Sequence, residues 1–77
     1  MRKSIGTREH AKLASLLRDL REEAGLSQKE LGALLDAKQS FVSRMETGQR
    51  RMDLVELSTI ARALGSSLAD IVRRFER

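Results

Sequence analysis

No proline occurs anywhere in the chain, and its apolar residues return every three or four positions. Proline ends or kinks a helix, whereas a three-and-four spacing puts side chains on one helical face. Leu13, Leu16, Leu17 and Leu20 stand at i, i+3, i+4 and i+7. The stretch from about Arg8 to Ala24 therefore reads as an amphipathic helix, with Thr7 as its N-cap. Valine, isoleucine, threonine and aromatics, which favour strands, are scarce. The expectation is an all-α fold.

Four more helices follow from caps and periodicity. Gly25 lies just past the first helix, where a left-handed residue commonly closes one. Ser27 and Glu30 make the Ser-x-x-Glu pattern of a capping box. They open a short second helix that carries Leu31, Leu34 and Leu35 inward and ends near Leu35. After a turn at Asp36-Ala37-Lys38, a third helix covers about Gln39 to Thr47, with Val42 and Met45 inward and Gly48 as its stop. The basic loop Gln49-Arg50-Arg51 comes next. Asp53 and Glu56 form another capping box, opening a fourth helix with Leu54, Leu57, Ile60, Ala61 and Leu64 inward, ended by Gly65. Ser67 and Asp70 cap a fifth helix bearing Leu68, Ile71, Val72 and Phe75. Loops are short and no linker is visible, so residues 1–77 are expected to form one compact five-helix domain that includes a short basic N-terminal arm, residues 1–7.

Composition narrows the function classes. Seventy-seven residues, 40% of them apolar, are close to the smallest chain that folds on its own core. There is no cysteine, which removes disulfides and Cys-based zinc sites and fits a reducing compartment. No apolar run approaches the roughly 20 residues that span a bilayer. Arg2 and Lys3 are not followed by the apolar stretch of a signal peptide. A cytoplasmic protein without membrane contact is expected. With no Cys, Tyr or Trp, one His, and neither a paired-carboxylate nor a glycine-loop motif, an enzyme is not expected, nor any metal or cofactor. The net charge of +4 favours a polyanionic partner, because counterion release from phosphates drives such binding.

The informative stretch is QKELGALLDAKQSFVSRMET, Gln28 to Thr47. Two short helices joined by so tight a turn cross steeply. Leu31 and Leu35 face the crossing from one side, Val42 and Met45 from the other, and Ala37 plugs the turn. Gly32 stands where the third helix passes closest. Glycine inside a helix costs about 0.5–1 kcal/mol relative to alanine, and close helix approach is a reason to accept that cost.

Here the sequence resembles the Cro/cI-like (XRE-like) helix-turn-helix family of phage and bacterial transcriptional regulators. LRDLREEAGLSQKELG, FVSRMETGQRR and ELSTIARALGSSLADI carry the likeness, which runs from about Leu16 to Phe75. It implies the five-helix lambda-repressor-like DNA-binding fold. It further implies a sequence-specific regulator, a repressor or controller protein, that binds a short palindromic operator in double-stranded DNA as a homodimer. Two positions depart from the family pattern. Asp36 stands where the family often has glycine at a positive φ, a region Asp tolerates better than most residues. Lys38 stands where Ser or Thr often caps the third helix. Since Lys38 cannot cap, Asp36 or a phosphate is the substitute.

The resemblance also assigns roles. Gln39, Ser40, Ser43 and Arg44, at the start and outward side of the third helix, are implied base contacts. Gln pairs with adenine and Arg with guanine through two hydrogen bonds. Gln28, Lys38, Phe41, Gln49, Arg50 and Arg51 are implied contacts to the DNA backbone, which position without reading sequence. For Phe41, partly buried packing is the competing reading. Arg21 and Glu46 occupy positions where the family often has an internal ion pair; two independent surface charges are the alternative. Plain solvation competes at Lys29 and Ser43. His10 reads as a surface residue, and Arg73, Arg74 and Arg77 as a solvated helix end. The rival to a DNA-binding regulator is an antitoxin or helical interaction module whose main partner is a protein such as a toxin.

Overall fold

A computed structural model describes residues 7–77. It contains α1 (Arg8–Glu23), α2 (Gln28–Leu34), α3 (Gln39–Glu46), α4 (Leu54–Ala63) and α5 (Leu68–Phe75), and no strand among the described residues. The all-helical expectation is borne out, with helix ends displaced by one residue at α1, α2 and α3. Of the expected basic arm at residues 1–7, all but Thr7 lies outside the described residues.

Each helix begins where a side chain satisfies its first free N–H groups. Thr7 Oγ1 accepts from the His10 N–H at 3.1 Å. Ser27 accepts from Glu30 N at 3.0 Å while the Glu30 carboxylate accepts from Ser27 N at 2.9 Å. Asp53 and Glu56 close the same reciprocal box at 2.7 and 3.0 Å. Ser67 accepts from Asp70 N at 3.1 Å, but the Asp70 carboxylate turns to Ser66 and Arg73 instead of reaching back. α3 is the exception. Its N-cap is Lys38, and no side chain bonds its first N–H groups, so Asp36 does not stand in.

Leu17, Leu20, Leu31, Val42, Met45, Ile60, Ala61 and Ile71 make the core, drawn from all five helices. Burying each large side chain contributes about 1.5–3 kcal/mol. α3 packs on α1 and α2, while α5 packs on α1 and α4. The Arg74 guanidinium grips the Glu23 carboxylate at 2.7 and 2.9 Å, pinning α5 to α1, so Arg74 is not merely solvated.

Several positions differ from expectation. Leu34 and Leu54, expected inward, are exposed, as is Val72. Leu34 is the last residue of α2 and Leu54 the first of α4, where the neighbouring turn no longer covers a side chain. His10 is buried rather than on the surface. It shares a stripe with Ala14, Leu17 and Arg21 at four- and three-residue steps, and that stripe continues under Gly48 at the end of α3.

Candidate nucleic-acid interface

The α2–turn–α3 unit is held by backbone contact. A Cβ on Gly32 would lie 3.0 Å from the Ala37 carbonyl oxygen and 3.4 Å from Gln39 N. The chain there is already bonded, the Ala37 N–H donating to Gly32 O at 2.8 Å. Gly32 is thus fixed by close approach. Asp36 turns the chain at φ 54°, in the left-handed region.

α3 is divided by face. Val42, Met45 and Glu46 are buried, whereas Gln39, Ser40 and Arg44 are exposed and Ser43 is half-buried. At 100° per residue, positions 39, 40, 43 and 44 share an arc of about 140°, with Val42 and Met45 on the far side and Glu46 at the edge next to Gln39. That outward side offers amide, hydroxyl and guanidinium groups and no apolar side chain.

Glu46 ties α3 to the interior. Arg21 donates from Nε to Glu46 Oε2 at 2.6 Å and from Nη2 to Glu46 Oε1 at 3.0 Å, and from Nη1 to the Leu26 carbonyl at 2.7 Å. The two side chains are 11% and 2% exposed, so the pair is desolvated. The hydrogen bond to Glu46 raises the Arg21 pKa against the opposing effect of burial. Gln28, the first residue of α2, donates to Glu46 Oε1 at 3.1 Å and accepts from Gln39 Nε2 at 3.4 Å. A polar chain therefore runs from α1 through Arg21, Glu46 and Gln28 to Gln39 on the exposed start of α3.

The remaining residues are placed around this unit. Lys38 is exposed beside Gln39 at the uncapped start of α3, with Lys29 exposed on α2. Gln49 and Arg51 are exposed in the loop after α3, and the Gln49 N–H closes that helix on Arg44 O at 2.9 Å. Phe41 is half-buried against the core. The Arg50 guanidinium lies 4.7 Å over its ring and is bonded to Glu56 at 2.6 and 3.2 Å. Sequence reasoning missed two of these relationships, the Arg50–Glu56 pairing over Phe41 and the link of Gln28 to both Glu46 and Gln39. Only the six-residue spacing of Arg50 and Glu56 hints at the first. No helix of the described residues is long and apolar enough to cross a membrane.

Two short helices packed together across a tight turn, the second presenting a polar outward arc, define a helix-turn-helix domain. A helix-turn-helix domain family matches residues 12–73, and the chain belongs to that family. The control protein C.MunI from a Mycoplasma species is 32% identical over 57 residues, covering 74% of this chain and 77% of that relative. Among solved structures, the restriction-modification controller protein C.AhdI from Aeromonas hydrophila superposes with a TM-score of 0.78 at 34% identity, covering 84% of this chain and 98% of its own. An XRE-family like protein from Pseudomonas syringae pv. tomato gives 0.81 at 37% identity, covering 88% and 83%. The XRE-like resemblance and the five-helix fold are thereby borne out.

Proposed function

We propose that this protein is a sequence-specific DNA-binding transcriptional regulator, a repressor or controller, acting without catalysis in the cytoplasm. The observation that carries this reading is the split of α3: a buried Val42–Met45–Glu46 side and an outward arc of Gln39, Ser40, Ser43 and Arg44. In a helix-turn-helix such an arc enters the major groove, where amide and guanidinium groups match base edges. Gln28, Lys38, Gln49 and Arg51 border that arc and suit phosphates. A net charge of +4 and the kinship with controller proteins support the same reading.

The protein acts as a homodimer on two half-sites, because one recognition helix reads too few base pairs to specify an operator. Exposed Leu54 and Val72 flank an apolar groove lined by Leu13, Leu57, Leu68 and Phe75, more apolar surface than a monomer needs. Selection of bound sequences from a random DNA pool tests the function. The expected product is a two-fold symmetric consensus, bound with an affinity that falls steeply with salt. Absence of any enriched sequence and of binding at low salt would refute it. Sedimentation of a monomer, free and on DNA at micromolar concentration, would refute the dimer.

A further inference from the structure

The family resemblance implies that Arg50 touches a phosphate, yet its guanidinium is already committed within the protein. Nη1 donates to the Arg51 carbonyl at 2.7 Å and to Glu56 Oε1 at 3.2 Å, and Nη2 donates to Glu56 Oε2 at 2.6 Å. The guanidinium carbon lies over the Phe41 ring, 4.7 Å from its centroid. Glu56 is in turn fixed by the Asp53 N–H at 3.0 Å, as the third residue of the α4 capping box. That backbone hydrogen bond, and then the one from Arg50, hold the Glu56 carboxyl below its ordinary range, so the carboxylate is charged and offsets the cation.

Packing alone leaves Phe41 incompletely held. A groove of about 270 Å³, bordered by Leu35, Ala37, Val55, Thr59 and Ile60, opens beside its ring. Phe41 belongs to the first turn of α3, directly after Gln39 and Ser40. We infer that Arg50 is a positioning residue: braced by Glu56 on α4, it clamps Phe41, and with it the first turn of α3, instead of neutralising a phosphate. The effect on DNA rests on the regulator reading above; the clamp itself does not. A cation already paired inside the protein releases no counterion from DNA, so its removal leaves the salt dependence unchanged. Lysine cannot replace it, since a point charge supplies neither the bidentate fork nor the planar stack.

The test uses the full chain and its selected DNA site. Arg50→Gln and Arg50→Lys should each weaken binding roughly two- to fivefold, the range of one exposed cation–π contact, at an unchanged log–log salt slope. Both should relax discrimination at the base pairs read from the first turn of α3 and leave the others sharp, a change that lowered stability alone does not produce. Lys38→Gln, which removes an exposed cation beside the start of α3, should reduce the slope by about 0.9. Glu56→Gln keeps an acceptor for the Asp53 N–H, so the fold is retained, and should reproduce the relaxed discrimination. In the free protein, the Phe41 ring current should shift the Arg50 δ-protons upfield in NMR spectra, and Glu56→Gln should abolish that shift. A slope reduced by about 0.9 in Arg50→Gln, with affinity restored by Arg50→Lys, would overturn the proposal in favour of a phosphate contact. So would the absence of any ring-current shift in the unaltered protein. Failure of the unaltered protein to bind DNA would instead strike the regulator reading, with the NMR result still deciding the clamp.

Discussion

Arg21 and Glu46 meet fork to carboxylate, Nε to Oε2 at 2.6 Å and Nη2 to Oε1 at 3.0 Å, across 25 positions of sequence. Because Glu46 is almost wholly buried, removing Arg21 strands a charge with Gln28 as its remaining side-chain donor. Arg21→Ala and Glu46→Ala should each cost about 3–5 kcal/mol. A double replacement by apolar residues, Arg21→Met with Glu46→Leu, should cost far less than the two single losses together. Denaturant melts of the unaltered protein, Arg21→Met, Glu46→Leu and the double variant measure the coupling, and simple additivity would contradict it.

The uncapped start of α3 can be improved. Lys38 already has the extended N-cap backbone, φ −80° and ψ 155°, that a serine needs to accept from the helix. Lys38→Ser should raise stability by about 1 kcal/mol, read as a higher urea midpoint at constant slope. The same change removes a cation from the edge of the proposed interface, so affinity for DNA should fall while stability rises.

Gly32→Ala should be destabilising even though alanine is the better helix former. Its Cβ would press on the Ala37 carbonyl at 3.0 Å and Gln39 N at 3.4 Å, both backbone atoms that cannot swing aside. A loss of about 1–3 kcal/mol is expected from forcing extra volume into such a contact. An unchanged melting temperature would show that the two helices can part freely.

Acid should weaken the fold through the caps. Glu30 and Glu56 are held below their ordinary value of 4.5, each chiefly by a backbone N–H, of Ser27 and Asp53 respectively. A depressed folded-state pKa means that the unfolded chain binds protons first as pH falls. The caps therefore contribute fully above the unfolded value near 4.5, and that contribution is lost as pH drops through the lower folded values. Melting temperature should be level above about pH 5 and fall below it, with a shallower fall in Glu30→Gln and Glu56→Gln.

Under the proposed reading, Arg44 and Arg51 separate sequence reading from anchoring. Arg44→Ala should cost about 1–3 kcal/mol of discrimination at one position of each half-site, a guanine. Arg51→Ala should weaken all sequences alike. Site selection with both variants checks this, and the reverse pattern would sink the assignment.

Local chemistry was legible in the sequence. The boxes at Ser27–Glu30 and Asp53–Glu56 span four residues each, and Gly32 and Asp36 announce their backbone demands by being odd choices for their positions. What depends on closure was not. His10 stands on the stripe of Ala14 and Leu17, yet the backbone that passes close to it comes at Gly48, far along the chain. Leu34 and Leu54 obey the helical period yet fall at helix ends, where periodicity no longer reports burial. Gln28 meets Glu46 and Gln39 across the turn between α2 and α3, where the period of a single helix no longer reports which side chains meet. The joining of Arg21 to Glu46 came from family likeness alone, since neither charge stands out by spacing.

The division of α3 into an anchored and an outward side has an evolutionary reading. Val42 and Met45 answer to the core, and Ser40 and Arg44 do not share their contacts. Substitutions on the outward arc are therefore nearly free of folding cost, so a lineage can drift between target sequences by point changes there without passing through an unstable ancestor. Gln39 is the partial exception, because its amide is spliced through Gln28 to the buried carboxylate of Glu46. It should be the slowest of the outward residues to change, and its replacements should travel with changes at Gln28.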